Sequence, residues 1–335
     1  MKTSEFRYEL PEASIAQEPV EPRHAARLLD TRDLSDHRFL DLADLLEPGD
    51  LVVVNRTRVR AARMRGHRSG GGQAEALLLK PLGADRWEAL LRPARKLGPG
   101  TRLTLGEIEA EVVEQLGEGL AVVELRGPED IEDAIARSGE VPLPPYFKGK
   151  LADPERYQTM FARNPDSAAA PTAGLHFTPQ VVSRLEARDI RLSAVDLEVG
   201  LDTFRPITSA RIEDHRIHRE RYRLDDVCAG EVAAARSRQG RVVAIGTTVV
   251  RVLETTGMGD GSVEVGEGET NLYITPGYEF KVVDLMVTNF HLPGTTLIVL
   301  VAAFMGAGWR RAYEAALARG YRFLSFGDAM LTARA

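Results

Sequence analysis

Cys228 is the single cysteine among 335 residues. A disulfide within the chain is therefore excluded, and a thiolate-based zinc site lacks its ligands. Such usage fits a reducing compartment. Long apolar runs are missing too. The longest, Thr296 to Met305, falls far short of the ~18–20 residues that a membrane span needs. The N-terminal MKTSEFRYELPEASIAQ holds no apolar core of the signal-peptide kind. The expectation is a cytoplasmic protein with no membrane association. The familiar nucleotide and metal signatures are also absent. No GxGxxG follows a strand, and neither GxxxxGK[ST] nor HExxH occurs, which weighs against dehydrogenase, P-loop and zincin readings. Excess positive charge is lacking as well. Lys plus Arg (43) against Asp plus Glu (49) gives −6, so a general nucleic-acid coat is ruled out, though not a local basic patch.

What is present is ordinary globular composition on a chain long enough for two domains. DLADLLEPGDLVVVN at 41–55 reads as a short helix, a Pro-Gly turn and a buried strand. From Val59 to Arg126 six short strand-like runs are bounded by Gly, Pro or Asp; this pattern predicts a small antiparallel β-domain, a closed six-stranded barrel. Beyond Pro128 the texture alternates. Helices are expected at Glu129–Ser138, after Asp153-Pro154, after Thr178-Pro179, over about 225–239, at TTVVRVLET and at TTLIVLVAAFM. Strands are expected at IRLSAVDLEV, RVVAIG, VDLMVTNF and the late YRFLSF. The glycine-rich, acidic 257–269 reads as a mobile loop. The fold class is thus α/β: a larger layered α/β domain (1–58 and 150–335) with a small antiparallel β-barrel domain inserted at 59–149.

Chemistry concentrates in a few places. AAPTAGLHFT at 169–178 joins Pro171 and a Gly174 that permits positive φ to two polar groups, Thr172 and His176. It is either a ligand-approaching loop or a tight connection with a packed histidine. RVVAIGTTVVRVLE ends a strand at Gly246 and starts a helix at Thr247-Thr248; helix N-termini at the carboxyl ends of α/β strands receive anions. Arg251 and Glu254 in that helix are three apart and share a face. The alternative is an ordinary turn with a surface ion pair. IEDHRIHRERY gathers Asp214, His215, His218, Glu220 and Tyr222, and its two histidines face one way if the segment is helical; it reads as a polar active-site wall or a solvated charged face. VTNFHLPGTT places Asn289 and His291 at a strand end, before Pro293-Gly294 and a buried helix. RTRVRAARMRGHR is a basic run. As a strand it would set Arg56, Arg58 and Arg60 on one face and Arg63 and Arg65 on the other, a candidate phosphate tracker. A second basic run comprises Arg211, Arg216, Arg219, Arg221 and Arg223.

Together these segments resemble the S-adenosylmethionine:tRNA ribosyltransferase-isomerases of queuosine biosynthesis. The matching stretches are YELPEASIAQ (8–17), NRTRVRAAR (55–63), VPLPPYF (141–147), ERYQTMFA (155–162), AAPTAGLHFT, VGLDTFRPI (199–207), EDHRIHRERY (213–222), GTTVVRVLE (246–254), YEFKVVD (278–284), TNFHLPGTTL (288–297) and FGDAML (326–331), in family order. The resemblance implies a β-barrel joined to an α/β domain. It also implies transfer and isomerisation of the ribosyl part of S-adenosylmethionine onto 7-aminomethyl-7-deazaguanine at the tRNA wobble position, giving epoxyqueuosine, adenine and methionine. The chain departs from the pattern at Glu198 (usually His), Asp202 (usually Gly), Arg56 (often Asn) and Ala61 (often Pro). A role carried by a histidine at 198 does not transfer.

Such chemistry needs a base, an acid for departing adenine and a carboxylate near the sulfonium. It calls for S-adenosylmethionine as co-substrate, with no prosthetic group and no metal. His176 is the first acid–base candidate, with His215, His218 and His291 as alternatives. Asp214 or Glu254 would orient an imidazole or face the sulfonium. Thr172, Gly174, Gly246, Thr247 and Thr248 would border the co-substrate, the two threonines and their helix start holding its carboxylate. Arg56, Arg58, Arg60, Arg63 and Arg65 would meet tRNA phosphates. A monomer is expected. The competing readings are a metal-dependent hydrolase built on His215 and His218, and a tRNA-binding module without catalysis.

Overall fold

The structure is a computed structural model, and it describes every residue except 84, 128, 129, 150, 166 and 201–204. Asp202 and the expected helix start at 129 therefore lie outside the described residues. In chain order the strands are Arg27–Asp30 (β1), Ser35–Arg38 (β2), Leu51–Asn55 (β3), Arg63–Arg68 (β4), Gln73–Gly83 (β5), Arg86–Arg92 (β6), Arg102–Leu105 (β7), Ile108–Gly117 (β8), Leu120–Arg126 (β9), Arg191–Leu197 (β10), Glu220–Leu224 (β11), Val242–Ile245 (β12), Gly266–Thr270 (β13), Leu285–Asn289 (β14) and Ala329–Ala333 (β15). The α-helices are Ile131–Ser138 (α1), Pro179–Glu186 (α2), Asp226–Ser237 (α3), Thr247–Thr256 (α4), Thr296–Met305 (α5) and Gly308–Ala318 (α6). The chain forms two compact units. One comprises 1–58, 144–165 and 169–335; the other comprises 59–143 and 166–168.

The larger unit is built on a nine-stranded sheet of described strands, ordered β13-β11-β10-β3-β12-β14-β15-β1-β2. At its centre β10, β3, β12 and β14 run parallel. β3, β12 and β14 are buried along their whole length because both faces are covered, whereas β10 alternates. Leu51 and Val53 point into one core with Cys228 and Val232 of α3, Val249 and Leu253 of α4, and Ile298 of α5. Val52 and Val54 point into the other, with Val181 and Leu185 of α2 and with Phe39 and Leu42. One strand thus feeds two layers through its two-residue period. Phe39 and Leu42 sit on a 3-10 helix, Phe39–Leu45, which is the short helix expected before β3.

The smaller unit closes β4-β5-β6-β9-β8-β7 into a barrel. His67 and Arg68 of β4 pair with β7 and complete the ring. Inward residues alternate along β6: Trp87, Ala89 and Leu91 are buried. Six strand-like runs with turn residues between them sufficed to predict this barrel. Residues 144–149 belong to the larger unit rather than to the barrel. Phe147 packs edge-on against Phe326 at 5.5 Å, and Gln17 donates to the Tyr146 carbonyl at 3.1 Å.

Five local expectations change. YRFLSF is not a strand. Its aromatics fill the core instead, with Phe323 stacked on Phe290 at 4.8 Å and Leu324 turned to φ 70°; the late strand is β15. The acidic 257–269 is not all loop, because Gly266–Thr270 (β13) pairs along β11. Asp153-Pro154 opens only a single 3-10 turn, Pro154–Tyr157. In the arginine run only Arg63–Arg68 is strand, so Arg56, Arg58 and Arg60 do not alternate on a ladder. The 213–222 stretch is not helical; a 3-10 turn, Ile212–Asp214, leads through 215–219 into β11.

Candidate active site

The neighbours β12 and β14 end side by side. Ile245 faces Val287 in parallel register, and the Gly246 N–H donates to the Val287 carbonyl at 2.7 Å. In an open α/β sheet the carboxyl ends of such strands are where ligands bind. Gly246 has φ 93°, a conformation glycine adopts without strain, and this turn sends the chain directly into α4. The first turn of α4 leaves backbone N–H groups without intrahelical acceptors. Together with the helix dipole they favour an anion.

Two clefts in the larger unit meet at this helix start. The first spans about 580 Å³ of space open to solvent and is bordered by Pro171, Thr172, Thr288, Asn289, His291 and Ser325. The second spans about 690 Å³, also open to solvent, and is bordered by His215, His218, Glu220, Arg251, Tyr273 and Leu300. Thr247, Thr248 and Leu297 line both clefts. The Thr248 hydroxyl is buried and has no hydrogen-bond partner among the described residues. A buried polar group in that state marks a place where a ligand supplies the partner.

The first cleft is walled by neutral groups. Thr172 donates to Asn289 Oδ1 at 2.8 Å, and Asn289 Nδ2 meets His176 Nε2 at 3.2 Å. His176 itself borders a smaller hollow with Arg23, Arg156 and Phe326, and its ring packs on Phe39 at 4.9 Å. Burial pushes its pKa down to about 3, with the charges of Arg322 and Arg23 adding to the shift. It is therefore neutral at pH 7, with its Nε2 within hydrogen-bond reach of Asn289. His291 does line the cleft; its Nε2 lies 3.0 Å from the Thr288 hydroxyl, and burial again lowers its pKa to about 3. Gly174 lines neither of the two clefts at the α4 start, and its φ is not positive. A Cβ there would come within 3.0 Å of Thr159 Cγ2, so close approach is what requires glycine.

The second cleft carries the ionic groups. The expected pairing within α4 does not occur. Arg251 instead forms a buried ion pair with Glu220, and its Nε donates to the Leu272 carbonyl at 3.1 Å. Desolvation lowers Arg251 to about 10, which leaves it charged at neutral pH. Glu220 also accepts the Gly200 N–H at 2.8 Å. Glu254 faces the other way. It accepts backbone N–H groups from Lys281 (2.8 Å), Val282 (3.1 Å) and Val283 (2.9 Å), so its carboxylate is committed to holding a loop. Asp214 is exposed and lines neither cleft. Half-buried His215 stands edge-on to Tyr273 at 5.8 Å, while His218 is exposed. Among the described residues no three His, Cys, Asp or Glu side chains converge to hold a metal. Glu198 is half-buried beyond β10, with its N–H on the Arg221 carbonyl, and borders neither cleft.

The arginines of 56–65 are matched by carboxylates. Arg56 binds Asp196 and Asp225 at 2.9 and 3.0 Å, Arg58 pairs with Glu155, and Arg60 binds Glu132 at 2.9 Å. In the barrel Arg63 binds Glu75 at 2.7 Å, and Arg65 lies 3.4 Å from Glu140. By contrast Arg92, Arg95 and Lys96 are exposed on the barrel, at and beyond the end of β6, and have no carboxylate partner among the described residues.

A family model described as "Queuosine biosynthesis protein" matches residues 3–332. The chain belongs to the S-adenosylmethionine:tRNA ribosyltransferase-isomerase family. It is 50% identical to the protein of that name from Anaeromyxobacter sp. (strain Fw109-5), with 100% of both sequences covered. The one from Moorella thermoacetica is 48% identical, with 99% of each covered. A crystal structure of S-adenosylmethionine tRNA ribosyltransferase from Thermotoga maritima covers 98% of this chain and 99% of its own, at 36% identity and a TM-score of 0.56. The sequence places Glu220 in the polar 212–222 wall without a role of its own, and it does not single out Tyr273. Glu220 had a signal in the alternation of β11: it and Leu224 are buried while Arg221 and Arg223 are exposed. Tyr273 had none, because the segment that carries it is irregular.

Proposed function

We propose that the two clefts at the start of α4 form the active site of an S-adenosylmethionine:tRNA ribosyltransferase-isomerase. The enzyme transfers the ribosyl moiety of S-adenosylmethionine to 7-aminomethyl-7-deazaguanine at the tRNA wobble position and isomerises it. The products are epoxyqueuosine-tRNA, adenine and methionine. The observation that carries this reading is the family match across nearly the whole chain. The larger unit is the catalytic one, since every described residue lining the clefts belongs to it.

The donor's sulfonium acidifies the ribose 5′ carbon. A base removes a 5′ proton; the electron pair forms a C4′–C5′ double bond as the C4′–O4′ bond breaks, O4′ becomes a carbonyl at C1′, and adenine leaves C1′ and is protonated by an acid. The nucleobase amine adds to C4′ of the vinyl sulfonium, the C5′ carbanion so formed closes on C1′, and the resulting alkoxide displaces methionine from C5′ to leave the epoxide. Thr247, Thr248 and the α4 N-terminus hold the methionine carboxylate. His215 and His218 do the proton-transfer work. His176 and His291, neutral and buried, are poor proton donors at pH 7 and shape the wall through Asn289 and Thr288. Glu220 is the carboxylate nearest in role to a sulfonium counter-charge, being the one that lines a cleft among the described residues. S-adenosylmethionine is a co-substrate, and no step as written calls for a metal or prosthetic group.

For tRNA, phosphates are met first by Arg92, Arg95 and Lys96. Arg56 to Arg65 would have to exchange a carboxylate for a phosphate. We place the enzyme in the cytoplasm as a monomer. No helix among the described residues is long and apolar enough to cross a membrane. The deciding experiment incubates the protein with S-adenosylmethionine and tRNA bearing the deazaguanine precursor. Adenine release together with a new nucleoside is expected; tRNA binding without adenine release would sink the reading.

A further inference from the structure

Both clefts have apolar walls; the second is set apart by the Arg251–Glu220 ion pair, by His215 and His218, and by the hydroxyl of Tyr273, unpartnered among the described residues. Its floor and sides are apolar, from Ile217, Leu272, Ile274 and Leu300, with the ring of Tyr273 among them. Two hydroxyls on its lining residues, Tyr273 Oη and Thr248 Oγ1, are buried with no partner among the described residues. Burial holds the Tyr273 phenol up at about 12, so it is a proton donor to a hydrogen bond at neutral pH. Apolar walls, an aromatic ring and a few unsatisfied polar atoms fit a flat heteroaromatic base with donors and acceptors along its edge.

The wall is also held rigid. Arg251 ties α4 to the Leu272 carbonyl and, through Glu220, to β11. The Gly200 N–H closes the set on Glu220. A preset slot of this kind binds a small rigid ligand without a large ordering cost. Because Thr247 and Thr248 border both clefts, a ligand whose carboxylate sits at the α4 start reaches into the second cleft with its other end.

We propose that the second cleft is the adenine subsite of the donor, with the first cleft left open to the incoming nucleobase of the tRNA. This rests on the reaction assigned above. It places His215 and His218 beside the base that must be protonated as it leaves. It also gives Tyr273 a role as a specificity-determining residue on the adenine edge.

The test is binding of free adenine, free 7-aminomethyl-7-deazaguanine and methionine to the full chain, by titration calorimetry. Three variants are compared: Leu300→Trp, which fills the second cleft; Tyr273→Phe, which removes only the unpartnered hydroxyl; and Leu292→Trp, which fills the first cleft. Leu300→Trp should weaken adenine at least tenfold and methionine less than twofold. Tyr273→Phe, the variant least able to disturb folding, should weaken adenine roughly three- to tenfold, the worth of one hydrogen bond. Adenine should also compete with S-adenosylmethionine. Adenine affinity unchanged in Tyr273→Phe, or loss of adenine only in Leu292→Trp, overturns the proposal. So does deazaguanine binding that Leu300→Trp abolishes while adenine is untouched. An enzyme that still releases adenine from S-adenosylmethionine in these cases keeps its assigned reaction and loses only the subsite. A wild-type protein that binds adenine as described but never releases it from the donor loses the reaction instead.

Discussion

The two clefts share a helix start and apolar walls and differ in their polar groups. The first adds hydroxyls, an amide and a histidine held neutral by burial. The second is lined by an ion pair, a half-buried and an exposed histidine, and apolar side chains. The difference teaches which histidines are fit for which work. An imidazole sealed from water keeps its hydrogen bonds and gives up its charge. Position in a motif does not separate these cases; depth does.

The sharpest way to break this contrast is to remove the two histidines of the second cleft that we propose carry the protons. The double variant His215→Ala/His218→Ala should lose about 10²- to 10⁴-fold in kcat/KM with adenine release as the readout, the usual worth of acid–base catalysis. A loss below about tenfold would return the proton transfer to the first cleft. Next in size is Arg251→Ala, which strands Glu220 in a buried site. Breaking a buried pair from one side costs about 3–5 kcal/mol, measurable as a lower denaturation midpoint. An unfolding free energy within about 1 kcal/mol of wild type would show that Glu220 reaches water on its own.

A third prediction concerns the first cleft and pH. His176 and His291 have folded pKa values near 3, against an ordinary 6.5. Below pH 6.5 the unfolded chain takes up protons that the folded chain refuses, so stability is full above 6.5 and falls as pH drops from 6.5 toward 3. Thermal midpoints across that window should decline less steeply in His176→Asn than in wild type. Equal slopes would mean that His176 is protonated in the fold. The smallest effect lies on the barrel. Each of Arg92→Ala, Arg95→Ala and Lys96→Ala should lower the salt slope of tRNA binding by roughly one log–log unit or slightly less. Slopes that respond only to changes at Arg58 or Arg60 would put the RNA on the carboxylate-paired arginines.

Much of the fold could be read from residues because its signals are local. LVVVN, RVVAIG and VDLMVTNF are strands whose both faces are buried, and TT after Gly246 begins a helix where the strand stops. The readings that failed depended on distant partners. GEGET becomes a strand because Glu267 and Glu269 lie opposite Arg223 and Arg221 of β11, a cross-strand charge match that no window around 266 contains. YRFLSF has strand-like composition, yet its aromatics are spent on ring packing with Phe290 and Tyr313. The Arg251–Glu254 spacing was correct for a helix face, but each side chain found a better partner about thirty residues away. In the site, the loops and strand ends were legible by their Gly, Thr and His. The depth of each histidine was not, because burial is a property of the assembled layers.

The place of β15 in the sheet bears on how the molecule assembles. It lies between β14 and β1, antiparallel to one and parallel to the other. The β1–β2 hairpin, made early in synthesis, therefore has no ladder to join until residues some three hundred positions later arrive: Leu28 waits for Ala329. Closing so long a loop is slow relative to local helix and hairpin formation. The early hairpin must remain unpaired at one edge in the meantime, an exposed template for wrong strands. Joining this margin of the sheet is therefore expected to come late in folding, because its two strands lie about three hundred residues apart in the chain.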